Sequence, residues 1–197
     1  MRGALISLRG PWIIRYHMRI TVGQGQAARN MATVRPLAEV LRYRHIEVIR
    51  RFREQFPVSE REAHSIFRET KKWLWLCATS PTPGRLAVTD QILIIDEMWH
   101  TFLMYTQDYH AFCLRAFGKF LHHVPTTEAE KARQRRRMQT YPERVAHEVE
   151  TETRWQCGLI AERLGEATLR KWYLDYPKRY SPARLRRLRL KALSQAQ

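Results

Sequence analysis

The hydrophobic positions of this chain recur mostly at intervals of three and four residues, the spacing of one face of an α-helix. The first run lies between Pro36 and Pro57 and predicts one amphipathic helix through Leu37, Val40, Leu41, Ile46, Ile49 and Phe52. Ser59 followed by Glu62 has capping-box spacing and predicts the start of a second helix. Residues 79–84, with two prolines and a glycine, predict a loop after it.

The middle of the chain predicts two further helices and an extended segment. Thr89 or Asp90 can cap the third helix, and Thr106 offers a second cap for a fourth helix that starts at about residue 107. Gly118 fits the C-terminal end of that helix. Residues 120–125 are expected to be extended, because the residue before a proline disfavours helix.

The C-terminal third predicts more helix. Pro142 suits the first turn of a long helix that reaches about Gly165, a short helix follows over residues 166–176, and a basic tail ends the chain. No strand, internal repeat or glycine-rich phosphate loop is predicted. The fold class is therefore all-α, a single-domain bundle of about five to six helices with an extended histidine-containing segment.

Composition supports one helical body. The chain has 197 residues, which suits a single domain. Its three cysteines are widely separated and odd in number, which favours a reducing compartment and predicts a cytoplasmic location. No stretch approaches the roughly 20 apolar residues that a membrane-spanning helix needs. We divide the chain into residues 1–30 (a leader, disordered extension or start-site artefact), a helical domain over 31–177, and a basic tail over 178–197.

The net charge of +16 is unevenly distributed. Residues 1–38, 131–137 and 178–197 hold 18 of the 35 basic residues and none of the 19 acidic ones. The rest of the chain is close to neutral. The distribution weakens the nucleic-acid-binding function that composition alone would suggest, and it leaves the tail over 178–197 as a candidate contact for a polyanion.

Candidate chemistry lies between Asp96 and His123. Asp96 and His100 are four residues apart on a predicted helix, so their side chains share one face, one turn apart. His122 and His123 follow the Gly118 stop, and only one of them is expected to face the site, since adjacent residues of an extended segment point to opposite sides.

The residue types in this stretch are those of a metal site. Two histidines and a carboxylate with open positions suit Fe(II) or a catalytic Zn²⁺. His110 ranks below the other histidines, because an unbroken helix would place it about 15 Å from His100. Tyr105 and Tyr109 are candidate catalytic proton donors. In the alternative interpretation, Asp96 and His100 form a structural hydrogen-bonded pair.

The string Ile-Asp-Glu-Met-Trp-His-Thr at residues 95–101, followed by Gly118 and the histidine pair His122 and His123, resembles an uncharacterised family. It is similar to the N-terminal domain of plant glycine-rich-domain proteins and to related bacterial hypothetical proteins that share an Asp-x-x-Trp-His core. The likeness covers roughly residues 65–125. Plant members often have a second histidine two residues after the first, where this chain has Phe102.

The leading prediction is a metal-binding helical protein, and whether it is an enzyme is left open. The alternative is a basic adaptor or nucleic-acid-binding protein with a purely structural Asp–His core. Aromatic residues surround the histidines, so a small molecule or a peptide in an aromatic pocket is a further predicted partner.

Overall fold

The computed structural model describes residues 19–21 and 34–195. The helices are α1 (Leu37–Arg42), α2 (Ile46–Gln55), α3 (Glu60–Thr79), α4 (Leu93–Leu103), α5 (Thr106–Phe117), α6 (Glu128–Thr140), α7 (Pro142–Leu164), α8 (Glu166–Arg170), α9 (Tyr176–Arg179) and α10 (Pro182–Gln195), with a 3₁₀ turn at Asp90–Ile92 and a π-helical turn at Lys171–Asp175. The all-α prediction is confirmed. One short antiparallel ladder joins β1 (Arg19–Thr21) to β2 (His122–Val124).

Several predicted helix ends are observed. The hydroxyl of Ser59 accepts the backbone N–H of Glu62 at 3.2 Å and caps α3. Gly118 ends α5 in the left-handed conformation, with φ of 66°, which costs glycine little because it has no Cβ. Pro142 is the first residue of α7, where its missing N–H is not needed.

The helix predicted between Pro36 and Pro57 is two helices, α1 and α2. The buried Lys71 of α3 donates to the carbonyl oxygens of Leu41 at 2.8 Å and Tyr43 at 2.7 Å, so the end of α1 is hydrogen-bonded from another helix. The ring of His45 then accepts the N–H of Val48 and caps α2. The break between α1 and α2 is thus stabilised by a contact from α3, and the spacing of apolar residues along the chain carries no information about such a contact.

Helix α6 is an addition to the predicted elements. None of its side chains is buried, so residues 128–140 lack the apolar periodicity by which a helix is recognised. A complete capping box starts it, in which Thr127 and Glu130 satisfy each other's backbone N–H groups.

The core is centred on α3, which packs against α1, α2, α4 and α7. It is rich in aromatic side chains that are fully buried: Trp73, Trp99, Trp172, Tyr109, Tyr176, Phe52, Phe56, Phe102, Phe112 and Phe117. Glu69 of α3 is buried with them and accepts hydrogen bonds from Lys171 and the Trp172 indole, both at 3.0 Å. This network joins α3 to the π-helical turn.

Much of the basic tail is the helix α10, which packs against α2 and buries Leu185. The division of the chain at residues 30 and 177 stays a prediction. Of the predicted leader, residues 1–18 and 22–30 lie outside the described residues. No helix in the described ranges is both long and apolar enough to cross a membrane.

Candidate metal centre

Helix α4 positions the first two residues of the site. Asp96 and His100 lie one turn apart on the same face, with 3.6 Å between Oδ2 of Asp96 and Nδ1 of His100. The two differ in exposure: the Asp96 side chain is 8% exposed and the His100 side chain 47%. The site thus has a buried carboxylate and one histidine that reaches solvent.

Strand β2 brings the third residue. His123 Nε2 lies 3.1 Å from Asp96 Oδ1, and only 9% of the His123 side chain is exposed. Its ring centroid is 4.4 Å from that of His100. The other oxygen of the same carboxylate faces His100, so Asp96 stands between the two imidazoles.

A buried hydrogen-bond chain holds the segment that carries His123. The Tyr109 hydroxyl donates to the carbonyl oxygen of Leu121 at 2.8 Å and accepts the Trp99 indole N–H at 3.1 Å. The Trp99 ring also packs edge-on against the His123 ring, with 4.5 Å between centroids. Helices α4 and α5 and the start of β2 therefore orient His123 together.

One ligand atom from each of Asp96, His100 and His123 can be chosen so that all three lie within 4.8 Å of one another. A tetrahedral ion with ligands at about 2.1 Å would hold those atoms about 3.4 Å apart. The three ligand atoms would therefore need to approach one another by little more than about 1 Å to coordinate one ion, a distance within the reach of side-chain rotation. Three protein ligands leave an open position for water or substrate, as in catalytic metal sites.

Negative charge beside His100 favours its protonated form. The neighbouring Glu97 carboxylate, 3.8 Å from Nδ1, raises the pKa of His100, and Asp96 adds to the effect, while partial burial opposes it. Because a metal ion competes with protons for imidazole, an ion that binds to protonated His100 would release that proton. Glu97 is itself ion-paired with Arg189 of α10.

Sequence reasoning did not single out Glu97 or Arg189. Glu97 could have been found, because it lies three residues before His100 on the same helix. No sequence pattern points to Arg189, because it lies beside α4 only through the packing of α10 against the rest of the fold.

Two other predicted histidines lie away from the group. His122 is exposed and packs against Phe120, with ring centroids 4.7 Å apart, so β2 presents its two histidines to opposite sides. His110 is also exposed and lies near the other side of Phe120, with 5.6 Å between centroids. The structure therefore gathers His123, but neither His122 nor His110, with Asp96 and His100.

The predicted proton donors also lie elsewhere. Tyr109 is fully buried, its hydroxyl is used by Trp99 and Leu121, and burial raises its pKa far above the usual value. The Tyr105 hydroxyl donates to the backbone carbonyl of Glu47 at 3.1 Å, at the contact between α5 and α2. The structure brings neither hydroxyl to Asp96, His100 or His123.

The aromatic residues around the histidines belong mainly to the core. Phe102, Phe112 and Phe117 are buried and pack against one another or against Tyr109. A cleft of about 460 Å³ lies nearby, between α6, α7 and the loop at residues 84–89. Its described lining includes Val124 but not Asp96, His100 or His123. A small molecule or peptide in an aromatic pocket stays a prediction.

Comparison with known proteins gives one match. The model of a family described as UCP032817-like matches residues 38–148, more than half of the chain, and this range contains Asp96, His100 and His123. No curated protein and no solved structure shows significant similarity to the chain.

Proposed function

We propose that this chain, which belongs to the UCP032817-like family, is a metal-binding helical protein whose ligands are Asp96, His100 and His123. The observation that carries the proposal is that one ligand atom from each residue lies within 4.8 Å of the others, although His123 follows His100 by 23 residues and lies on a strand instead of the helix. Two histidines and one carboxylate are a common set for Fe(II) and for catalytic Zn²⁺.

Burial supports a role beyond a surface ion pair. Asp96 is 6% exposed, and a buried carboxylate is costly unless it is paired or coordinates a metal. His123 supplies one close partner, whereas His100 remains half exposed at 3.6 Å. An ion would satisfy the carboxylate and both imidazoles at once.

We propose further that such an ion would keep an open position on the side of the exposed His100, where it could activate water or dioxygen. This would make the protein a metal-dependent enzyme. The resemblance to plant glycine-rich-domain proteins is more specific than the family match, and we propose it from the string at residues 95–101 followed by Gly118, His122 and His123.

The test uses the two adjacent histidines of β2 as a matched pair. The full chain is purified without an affinity tag and stripped with a chelator. It is then titrated with Zn²⁺ and, without oxygen, with Fe²⁺, alongside His123→Ala, His100→Ala and His122→Ala. We expect one equivalent to bind the wild type and His122→Ala, and binding at least tenfold weaker in the other two, because only those lose a ligand.

Circular dichroism of each apo variant shows whether the helices are retained. The proposal is wrong if the folded wild type binds no stoichiometric metal, or if His122→Ala weakens binding as much as His123→Ala. Either result would make Asp96, His100 and His123 a structural hydrogen-bonded group, and would leave the basic adaptor as the alternative function.

A further inference from the structure

A second cleft lies between the first turn of α3 and the first turn of α10, and its described lining contains none of Asp96, His100 and His123. Its volume is about 510 Å³, within the range of small-molecule sites. We name it the basic cleft after the cationic side chains of its lining, which are Lys178, Arg179, Arg184 and Arg187. Ser59 and Ser181 also line the cleft, and their hydroxyl oxygens cap the two helices by accepting the backbone N–H groups of Glu62 and Arg184.

The one acidic side chain of the lining is already neutralised. Glu62 pairs with Arg179 at 3.1 Å and accepts the Tyr180 hydroxyl at 2.7 Å. Within residues 34–195, Lys178, Arg184 and Arg187 form no ion pair. Three cations therefore face a shared cleft without an anion to balance them.

The backbone adds to this positive field. Helix α10 has 14 residues, and the Ser181 hydroxyl caps the backbone N–H of Arg184 at its start. No acidic residue lies in its first turn, so no negative side chain offsets the positive end of the helix dipole there. The first turn of α3 differs, because Glu60 and Glu62 already occupy it. The electrostatic field thus favours an anion on the α10 side of the cleft, beside the Arg184 guanidinium.

Other basic residues of the tail are used differently. Arg189 pairs with Glu97 beside the metal centre, and Arg186 lies on α10 outside the lining of the cleft. The basic tail is therefore not uniform: the fold directs some of its charges into one concave site. Spacing alone could not reveal this, because Lys178 and Arg187 come from different helices.

We propose that the basic cleft binds the phosphate group of a small phosphorylated ligand. Guanidinium groups match phosphate oxygens with paired N–H donors, and the concave shape gathers them around one anion. A nucleic-acid strand fits less well, since strands need an extended groove with aromatic stacking platforms. Tyr180 is the one aromatic residue in the described lining, and its hydroxyl is held by Glu62.

The test is calorimetric titration of the full chain with inorganic pyrophosphate, with Arg184→Gln, Arg187→Gln and Arg186→Gln compared. Arg186→Gln is the matched control, since it removes the same charge from the same helix. We expect saturable one-to-one binding that weakens at least tenfold in Arg184→Gln and Arg187→Gln and less than twofold in Arg186→Gln. Circular dichroism checks that each variant is folded.

Two further arms distinguish the sources of phosphate. A 20-nucleotide RNA and phosphatidylcholine vesicles with and without phosphatidic acid are titrated under the same salt conditions. Competition of either by pyrophosphate, with the same two variants impaired, supports the cleft. The proposal is overturned if pyrophosphate does not saturate at millimolar concentrations, or if all three variants weaken binding equally, because diffuse attraction would then explain it.

Discussion

The Tyr109 hydroxyl offers a direct test of how the fold holds His123 in place. In Tyr109→Phe, the Trp99 indole N–H and the Leu121 carbonyl would both lose their tyrosine partner in a site that is fully buried. Each unsatisfied buried group costs about 1–3 kcal/mol.

We therefore expect Tyr109→Phe to lower the free energy of unfolding by at least about 2 kcal/mol, a large part of the 5–15 kcal/mol typical of a domain. The matched control is Tyr105→Phe, which removes a hydroxyl that also donates to a carbonyl but at the surface. That change should cost less than about 1 kcal/mol, because water can replace the lost bond.

Urea denaturation followed by circular dichroism at 222 nm measures both values. Metal affinity is a second readout: in Tyr109→Phe it should fall although no ligand is altered, since the segment that carries His123 loses its anchor. Equal costs for the two tyrosine variants, or a cost below about 1 kcal/mol for Tyr109→Phe, would refute the view that this chain of hydrogen bonds is a main support of the site.

Two further predictions concern the buried charges of α3. Glu69→Gln should cost about 3 kcal/mol in urea denaturation, because it weakens a buried carboxylate's bonds to two lysines and a tryptophan. Glu150→Gln is the control, because it changes an exposed ion pair with Arg154, and it should cost under about 1 kcal/mol. Equal losses of unfolding free energy in the two variants would contradict the role given to burial. Burial lowers the pKa of Lys71 to about 7, so the unfolded chain binds more protons above that pH and stability should rise with pH. The cost of Lys71→Met should thus grow by about 1.5 kcal/mol from pH 7 to 8.5, and a cost that does not change with pH would refute this prediction.

Local signals predicted the helix ends that depend on a few neighbouring residues. Ser59 and Gly118 act through short-range backbone geometry, and the structure shows them at the start of α3 and the end of α5. The period of apolar residues predicted the all-α class for the same reason. It did not predict α6, because a helix without a buried face carries no such period.

The candidate site also contains features that local spacing predicts and features that depend on tertiary contacts. Spacing on α4 paired Asp96 with His100, and strand alternation predicted that one of His122 and His123 would face them. Helix spacing and strand alternation apply equally to His122 and His123. The choice of His123 depends on the Leu121 carbonyl being held by Tyr109 of α5, which sets the orientation of β2.

The sequence by itself determined the helical class, the principal helix caps and the shared face of Asp96 and His100, because these depend on contacts within a few residues. Tertiary structure decided which histidine completes the group, that Glu97 pairs with Arg189, and that Arg184 and Arg187 share a cleft with Lys178. These features join residues that are distant along the chain. They therefore depend on how whole elements pack, which no local pattern encodes.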